Sequence, residues 1–489
     1  MKRIGKGYRA AALLLILLLS FGLAGCNQTE KDFYNATTEV MDYKCYTMNG
    51  SMKIDLKQIP ASATGNMDPF VFNILSKMLS NLSLEYTQKV DYNKNLYQAD
   101  IFLKESSTKA TKLLLSLRLA DNILYVQGQG LFDLLPEFGG DLDYWSQTFG
   151  ESKWVSMTEE DCREALELQD YPGSLFDLNR QAQNNLMIQD LCDRFITDVL
   201  TDYQTGCVKK SGNKYVLTLT AADACRVVHS LCVYGLENSD KVDQFLNDAL
   251  NNLTSEQLQA LGMDEDMRAE AVSSLNEAMV DLASNKNDYL ADLEESQADW
   301  EEAAALFQGS KLVYTFEKSG AKTFNESMVL NLKTNDSESA DENLDMTFTV
   351  QTATQVKSSV DVAVPPTGQV VSLKELAAAR PTCIDIDVDN NYYTLEKGLG
   401  TKYGDLEIKI IDDSVYLPLR QVAEALDEKV VWDQQTGNVY IEKDSQQILM
   451  TGIIEDGATF VKAKDFEKLG YEVYWNEYLR TVTIQAPAE

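Results

Sequence analysis

Large apolar residues alternate with polar ones through many short stretches of this chain. Leu82, Leu84, Tyr86, Val90 and Tyr92 share one parity, with Ser83, Glu85, Thr87, Lys89 and Asp91 on the other. The same period of two runs through Met52/Ile54/Leu56, Tyr97/Ala99/Ile101/Leu103 and Leu113/Leu115/Leu117/Leu119. It returns at Tyr215/Leu217/Leu219, Leu312/Tyr314/Phe316, Met328/Leu330/Leu332 and Leu344/Met346/Phe348/Val350. Successive side chains of a strand point to opposite faces, so the pattern predicts antiparallel strands with one wet and one buried face. Short polar gaps at 91–95 and 320–322 predict hairpin neighbours.

Between about Thr158 and Gln308 the period becomes helical. Thr158-Glu159-Glu160-Asp161 and Thr220-Ala221-Ala222-Asp223 each open a helix, the first with acidic residues in its opening turn, where they suit the dipole. Lys241–Leu253, Ser255–Leu261, Asp264–Ser284 and Lys286–Phe307 continue the series. A sheet with one apolar face needs a cover, and these helices are the apolar mass available to supply it. The expected fold class is α+β: a curved antiparallel sheet covered by helices, plus a small C-terminal α+β repeat module. The expected divisions are a signal peptide over 1–25, a tether over 26–38, the helix-covered sheet over 39–360, a linker over 361–381 and the module over 382–489. A split of the large domain near Gly206 is the alternative. Pro365, Pro366 and Gly368 mark the linker, since they extend neither strand nor helix. The central layout resembles the half-barrel of bacterial lipoprotein carriers and related envelope lipoproteins, in which helices partly fill a sheet that can hold acyl chains.

At the N-terminus, Lys2, Arg3, Lys6 and Arg9 precede an apolar run from Ala10 to Leu19, the layout of a secretory signal. The run is short for a bilayer span, which takes about 20 apolar residues. Leu23-Ala24-Gly25-Cys26 resembles a bacterial lipobox. That resemblance implies a diacylglyceryl group on the Cys26 thiol and cleavage before it. An ordinary signal peptide cut near Gly25, or an uncleaved anchor, are the alternatives.

The chain carries a formal net charge of −33, and removing the basic residues of the signal makes it more acidic still. Such a field repels phosphate backbones and anionic headgroups, which excludes nucleic acid as a partner. The lipid on Cys26 would therefore hold the protein at the extracytoplasmic face of the cell membrane. Seven further cysteines follow: Cys45, Cys162, Cys192, Cys207, Cys225, Cys232 and Cys383. An odd number at scattered spacing is no disulfide framework, and free, mostly buried thiols are expected.

The C-terminal stretch contains Val415-Tyr416-Leu417-Pro418-Leu419-Arg420-Gln421-Val422-Ala423-Glu424-Ala425-Leu426, then Val430-Val431-Trp432-Asp433 and Val439-Tyr440-Ile441. This resembles the copper amine oxidase N-terminal-like domain, in which strand, proline-capped helix and a strand carrying Trp follow one another. A degenerate copy follows in Thr459-Phe460-Val461, Lys464–Leu469, Val473-Tyr474-Trp475-Asn476 and Thr481-Val482-Thr483-Ile484. The second copy has Lys462-Ala463-Lys464 in place of Pro-Leu-Arg. Pro418 suits a helix's first turn, and Val422 and Leu426, four apart, are expected to face the sheet. Trp432 and Trp475 are expected to cap two small cores, and Arg420 to fork onto a carboxylate or carbonyls within the module. Oxidase chemistry itself needs three histidine ligands and a tyrosine-derived quinone in an Asn-Tyr-(Asp/Glu) motif. The single histidine, His229, and the sequence Asn391-Tyr392-Tyr393 exclude it.

Other candidate sites reduce to packing. Cys225, His229 and Cys232 fall near one helix face, but Cys225 and Cys232 stand about 10.5 Å apart along the axis, too far for one ion. Asp385, Asp387, Asp389 and Glu396 imitate a calcium loop, yet Asn390 replaces its turn glycine and no helix precedes it. There is no Gly-rich phosphate loop. No catalytic residue, cofactor or metal site is expected; Cys26 is the one site residue, for lipid attachment. The expected function is a non-catalytic binding or scaffolding role at the cell envelope. A cell-wall polymer, a surface protein or a lipophilic ligand are the expected partners. A carrier or sensor of a lipophilic molecule held between sheet and helices is the alternative, and a carboxylate-dependent hydrolase the third.

Overall fold

The computed structural model describes residues 27–60, 80–106, 108, 110–128, 130, 154–165, 168, 174–260, 263–335, 343–379, 381–398, 400–443, 446–477 and 479–487. The expected signal peptide and Cys26 lie outside these described residues. The fold is mixed α+β, with a curved sheet, covering helices and a small β-rich C-terminal module. The chain divides into two compact units, one from residues 1–152 and 171–365, the other from 153–170 and 366–489.

The first unit begins with α1 (Gln28–Thr38), then β1 (Cys45–Gln58), β2 (Leu82–Asp91), β3 (Leu96–Glu105), β4 (Thr111–Ala120) and β5 (Ile123–Gln127). The chain next gives β6 (Trp154–Met157) and α2 (Glu159–Ala165) to the second unit. It returns as α3 (Leu178–Arg194), ending in a π-helical turn at Phe195–Val199, and as β7 (Val208–Ser211) and β8 (Lys214–Thr220). A helical series follows: α4 (Ala221–Glu237), α5 (Ser239–Asn251), α6 (Ser255–Ala260), α7 (Glu265–Glu295) and α8 (Gln297–Leu306). The unit closes with β9 (Lys311–Gly320), β10 (Thr323–Lys333) and β11 (Asp345–Val356).

Its strands form one sheet in the order β5-β4-β3-β2-β1-β11-β10-β9-β8-β7. The pairing of β1 with β11 joins strands from before and after the helical series, and every pair is antiparallel. Asp121 and Asn122, both at positive φ (52° and 58°), make the tight turn from β4 to β5. Paired positive-φ residues give the turn twist that matches the flanking strands. The expected alternation is realised, with Leu84, Met52, Val350 and Met328 in register on one face.

Helices cover one end of that face. Thr220 and Asp223 form a reciprocal capping box that starts α4, as the sequence predicts. Val227 and Leu231 of α4, Phe195 and Val199, and Phe33 of α1 share a core with Tyr215, Leu217, Phe316 and Phe324. Phe316 and Phe324 are fully buried.

The stretch read as a tether contains α1, capped by the Asn27 side chain on the Glu30 amide. Phe33 is buried, and the buried Glu30 carboxylate accepts hydrogen bonds from the Thr205 hydroxyl (2.6 Å) and the Gly206 amide (2.8 Å). The local sequence is too polar to signal this helix; a partner 175 residues away stabilises it. Helix α7 also runs through Ser284 and Asn285, where a break is expected, and ends at Glu295, with Ser296 as its C-cap. The Asn285 amide bonds back, from an exposed face, to both the carbonyl and the carboxylate of Asp281, sharing that ladder acceptor without breaking the helix.

In the second unit β6 lies parallel to β12 (Val370–Ser372), which leads into α9 (Leu373–Ala379). Three small sheets follow. β13 (Cys383–Asp387), β14 (Tyr392–Lys397) and β15 (Gly400–Asp405) belong to the first; β16 (Lys409–Ile411) and β17 (Ser414–Pro418) to the second. After α10 (Leu419–Ala425) come β18 (Lys429–Asp433), β19 (Asn438–Lys443) and β20 (Gln446–Met450), the third. The repeat then resumes with β21 (Ile453–Glu455), β22 (Ala458–Lys462), a 3-10 helix at Ala463–Leu469, β23 (Glu472–Asn476) and β24 (Thr481–Gln485).

The two copies meet where β17 pairs with β22, Leu417 opposite Val461. Each copy enters this pair through a turn of positive-φ residues, Asp412–Asp413 and Asp456–Gly457. The second copy's helix is 3-10 where the first is α, and its path to the tryptophan strand is one residue shorter. A 3-10 helix rises about 2.0 Å per residue against 1.5 Å, so fewer residues span the same distance. Val422, Leu426 and Phe466 enter one core with Leu417, Ile441, Val461 and Ile484.

Candidate functional site

Past the helix-covered end, the apolar face of the first unit continues without cover among the described residues. One cross-strand row runs Leu103–Leu84–Met52–Val350–Met328 over β3, β2, β1, β11 and β10. A second is Ile54–Phe348–Leu330, and a third is Leu56–Met346–Leu332. None of these side chains is buried, and Met52, Ile54 and Leu84 are 37%, 40% and 37% exposed. Burying one such side chain is worth about 1.5–3 kcal/mol. A contiguous apolar face left open in this way is a candidate interaction site.

A polar row borders this lane on the side of the filled core. It runs Tyr86–Gly50–Thr352–Glu326 across β2, β1, β11 and β10, and Phe316 continues it on β9. Gly50 is required here. A Cβ at this position would stand 2.3 Å from the Tyr86 ring and 2.6 Å from the Gln351 carbonyl. The phenol of Tyr86 lies across the gap and shares a 2.7 Å hydrogen bond with the Thr352 hydroxyl. The Tyr314 hydroxyl donates to Glu326 Oε2 at 2.8 Å. Burial, reinforced by that carboxylate, pushes the Tyr314 phenol well above its ordinary range. Sequence reasoning placed Tyr86 and Tyr314 among the apolar positions and did not single out Glu326. Its signal was a lone acid at an inward parity, between Phe324 and Met328.

The opposite, wet face carries an open groove of about 820 Å³, lined by Asn49, Ser51, Thr87, Ser327 and Gln351 among others. It is solvated, as its parity predicts.

The motif residues singled out from the sequence serve packing and turns. Cys225, His229 and Cys232 sit on α4, and among the described residues no group of three could hold a metal ion. All seven cysteines of the described residues are free. Burial pushes the thiols of Cys45, Cys162 and Cys232 up, and that of Cys192 to about 11. Asp385 and Asp387 lie on strand β13, not in a loop. Asp387 accepts from the amides of Asp389 and Asn390, and Asp389 pairs with Arg480 at 2.7 Å. Tyr392 stacks on Tyr403.

Arg420 is exposed and makes one contact, to Glu424 at 3.3 Å along its own helix, rather than a fork into the module. Trp432 and Trp475 do not close the cores as expected. They sit opposite the buried Val439 and Val482, on the inward parity, but at the rim of their strands, and are 45% and 49% exposed. Phe466, Tyr471 and Leu469 fill the space inside. A buried network takes the polar load there: Glu428 accepts from the Tyr471 hydroxyl at 2.7 Å and pairs with Lys443 at 3.0 Å.

No helix of the described residues is long and apolar enough to cross a membrane. Residues 400–453, which hold β15 to β20 and thus the first copy of the repeat, match the copper amine oxidase N-terminal domain family. That domain is a non-catalytic one. No curated protein and no solved structure matches the chain.

Proposed function

We propose that this is a non-catalytic binding protein of the cell envelope, anchored through an acylated Cys26, whose ligand is lipophilic. The observation that carries the reading is the open lane of Met52, Ile54, Leu84 and their half-buried neighbours on a face whose other end is sealed by helices. An alkyl chain laid along these rows would remove apolar surface from water at about 25 cal/mol per Å². The basic and apolar run before Cys26 supports the address.

Native mass spectrometry of the gently extracted full chain tests the ligand. A bound lipid mass that falls when Met52, Ile54 and Leu84 are all replaced by Ser is expected; a clean apo mass opposes the reading. Radiolabelled palmitate should enter the wild type and not Cys26→Ser.

A second role, attachment to a wall polymer or surface protein through the C-terminal module, is favoured by its exposed aromatics. Trp432, Trp475, Tyr403 and Tyr474 present from 45% to 65% of their surface. Retention of the full chain on isolated cell walls should drop when Trp432 and Trp475 are both replaced by Ala. Retention unchanged from wild type would end this role.

A further inference from the structure

The lane is not uniformly apolar, and its border has a definite chemistry. Glu326 stands on the inward parity of β10 between Phe324, fully buried, and Met328, half-buried. Its Oε2 is held by Tyr314, and Thr352 stands opposite on β11. Thr352 in turn shares one hydrogen with Tyr86. A carboxylate only accepts, and two hydroxyls that satisfy each other keep more lone pairs than free hydrogens. The row therefore presents mainly acceptors, beside a fixed acid, in a chain of formal charge −33.

We propose that this row selects the headgroup of the lane's occupant: a lipid whose head is not anionic and offers hydrogen-bond donors, such as the hydroxyls of a glycerol ester. This rests on the reading that the lane holds a lipophilic ligand. An alkyl chain lies over Met52, Ile54, Phe348 and Leu330 while the head sits at Glu326 and Thr352. A carboxylate or phosphate head placed there meets Glu326 as a like charge in partly desolvated surroundings, where repulsion is screened least. A hydroxyl head instead donates to Glu326 and exchanges bonds with the Tyr86–Thr352 pair. Gly50 leaves room for the Tyr86 ring to lie across the row to Thr352, so the head meets the Tyr86–Thr352 pair from the side of the lane.

Two photoreactive probes with the same diazirine-bearing decyl chain, one a glycerol ester and one a free acid, test this on the full chain in membranes. Labelled peptides are mapped by mass spectrometry. The glycerol ester should label peptides containing Met52, Leu84 or Met328 about tenfold more than the acid, the scale of one close like-charge contact. Glu326→Gln keeps an acceptor for Tyr314 but removes the charge, and should bring the two probes to near parity by raising the acid. Tyr314→Phe, which leaves Glu326 charged, should preserve the preference and serves as the second variant if the first does not fold. Absence of labelling in these peptides by either probe sinks the lipophilic reading itself. Equal labelling in the wild type, or a preference unmoved by Glu326→Gln or lost in Tyr314→Phe, overturns the headgroup selection and leaves that reading standing.

Discussion

On β9 and β10, Phe316 and Phe324 share a core with Phe33, Phe195 and Leu231 and have no exposure at all. On the same face, Met52 and Ile54 of β1 and Leu84 of β2 keep more than a third of theirs. Both ends obey one period of two, and both carry large aliphatic or aromatic side chains at inward positions. What separates them is the row Tyr86–Gly50–Thr352–Glu326 and the reach of α1 and α4. Alternation decides which face of a sheet is apolar; it does not decide how far a cover extends along it. The uncovered part is where apolar surface remains to be removed from water.

The contrast breaks most easily at its filled end. Phe316→Ala should cost about 3–5 kcal/mol in urea unfolding, through lost transfer energy and a cavity that close packing cannot collapse. Met52→Ala at the open end should change stability by less than about 1 kcal/mol. Equal losses at the two sites would mean that the lane is packed after all.

Next in size is the docking of α1. Glu30→Ala leaves the Thr205 hydroxyl and the Gly206 amide without their acceptor and should cost about 2–3 kcal/mol. Limited proteolysis within 28–38 should become fast in this variant while the C-terminal module stays resistant. Unchanged protection would show that Phe33 alone holds the helix.

The smallest effect is a pH dependence that locates the border. Tyr314 has its folded-state proton affinity raised above the ordinary 10.0, chiefly by burial and then by Glu326. The folded state thus holds this proton more tightly than the unfolded chain does. Its contribution is fully present below about pH 10 and is lost as pH rises beyond that value. Melting temperature should fall between about pH 9 and pH 11, and fall less in Tyr314→Phe. Identical alkaline profiles would place the phenol in water, away from the core.

Much of this is legible in the sequence. The inward parities of Leu84, Met52, Val350 and Met328 are read directly from the alternation, and Thr220 with Asp223 announces α4. The repeat in the C-terminal module, with Val422 and Leu426 inward, is likewise written locally. Other features have no local signature. α1 sits in a polar stretch and depends on Thr205 and Gly206; β6 finds β12 across more than 200 residues. Trp432 and Trp475 have the right parity but the wrong depth, because they stand near the ends of their strands and Phe466, Leu469 and Tyr471 fill the core inside them. Glu326 reads as one acid among 76 until Thr352 and Tyr314 are placed beside it.

By itself the chain of residues determined the strand faces, the start of α4, the duplicated module and the acidic field, because each depends on neighbours within a few positions or on composition alone. Tertiary structure decided which part of the apolar face is sealed, which tyrosine meets which carboxylate and where the polar border falls. Those outcomes turn on register between strands that lie far apart in sequence, and a shift of one residue would carry every one of these side chains to the opposite face.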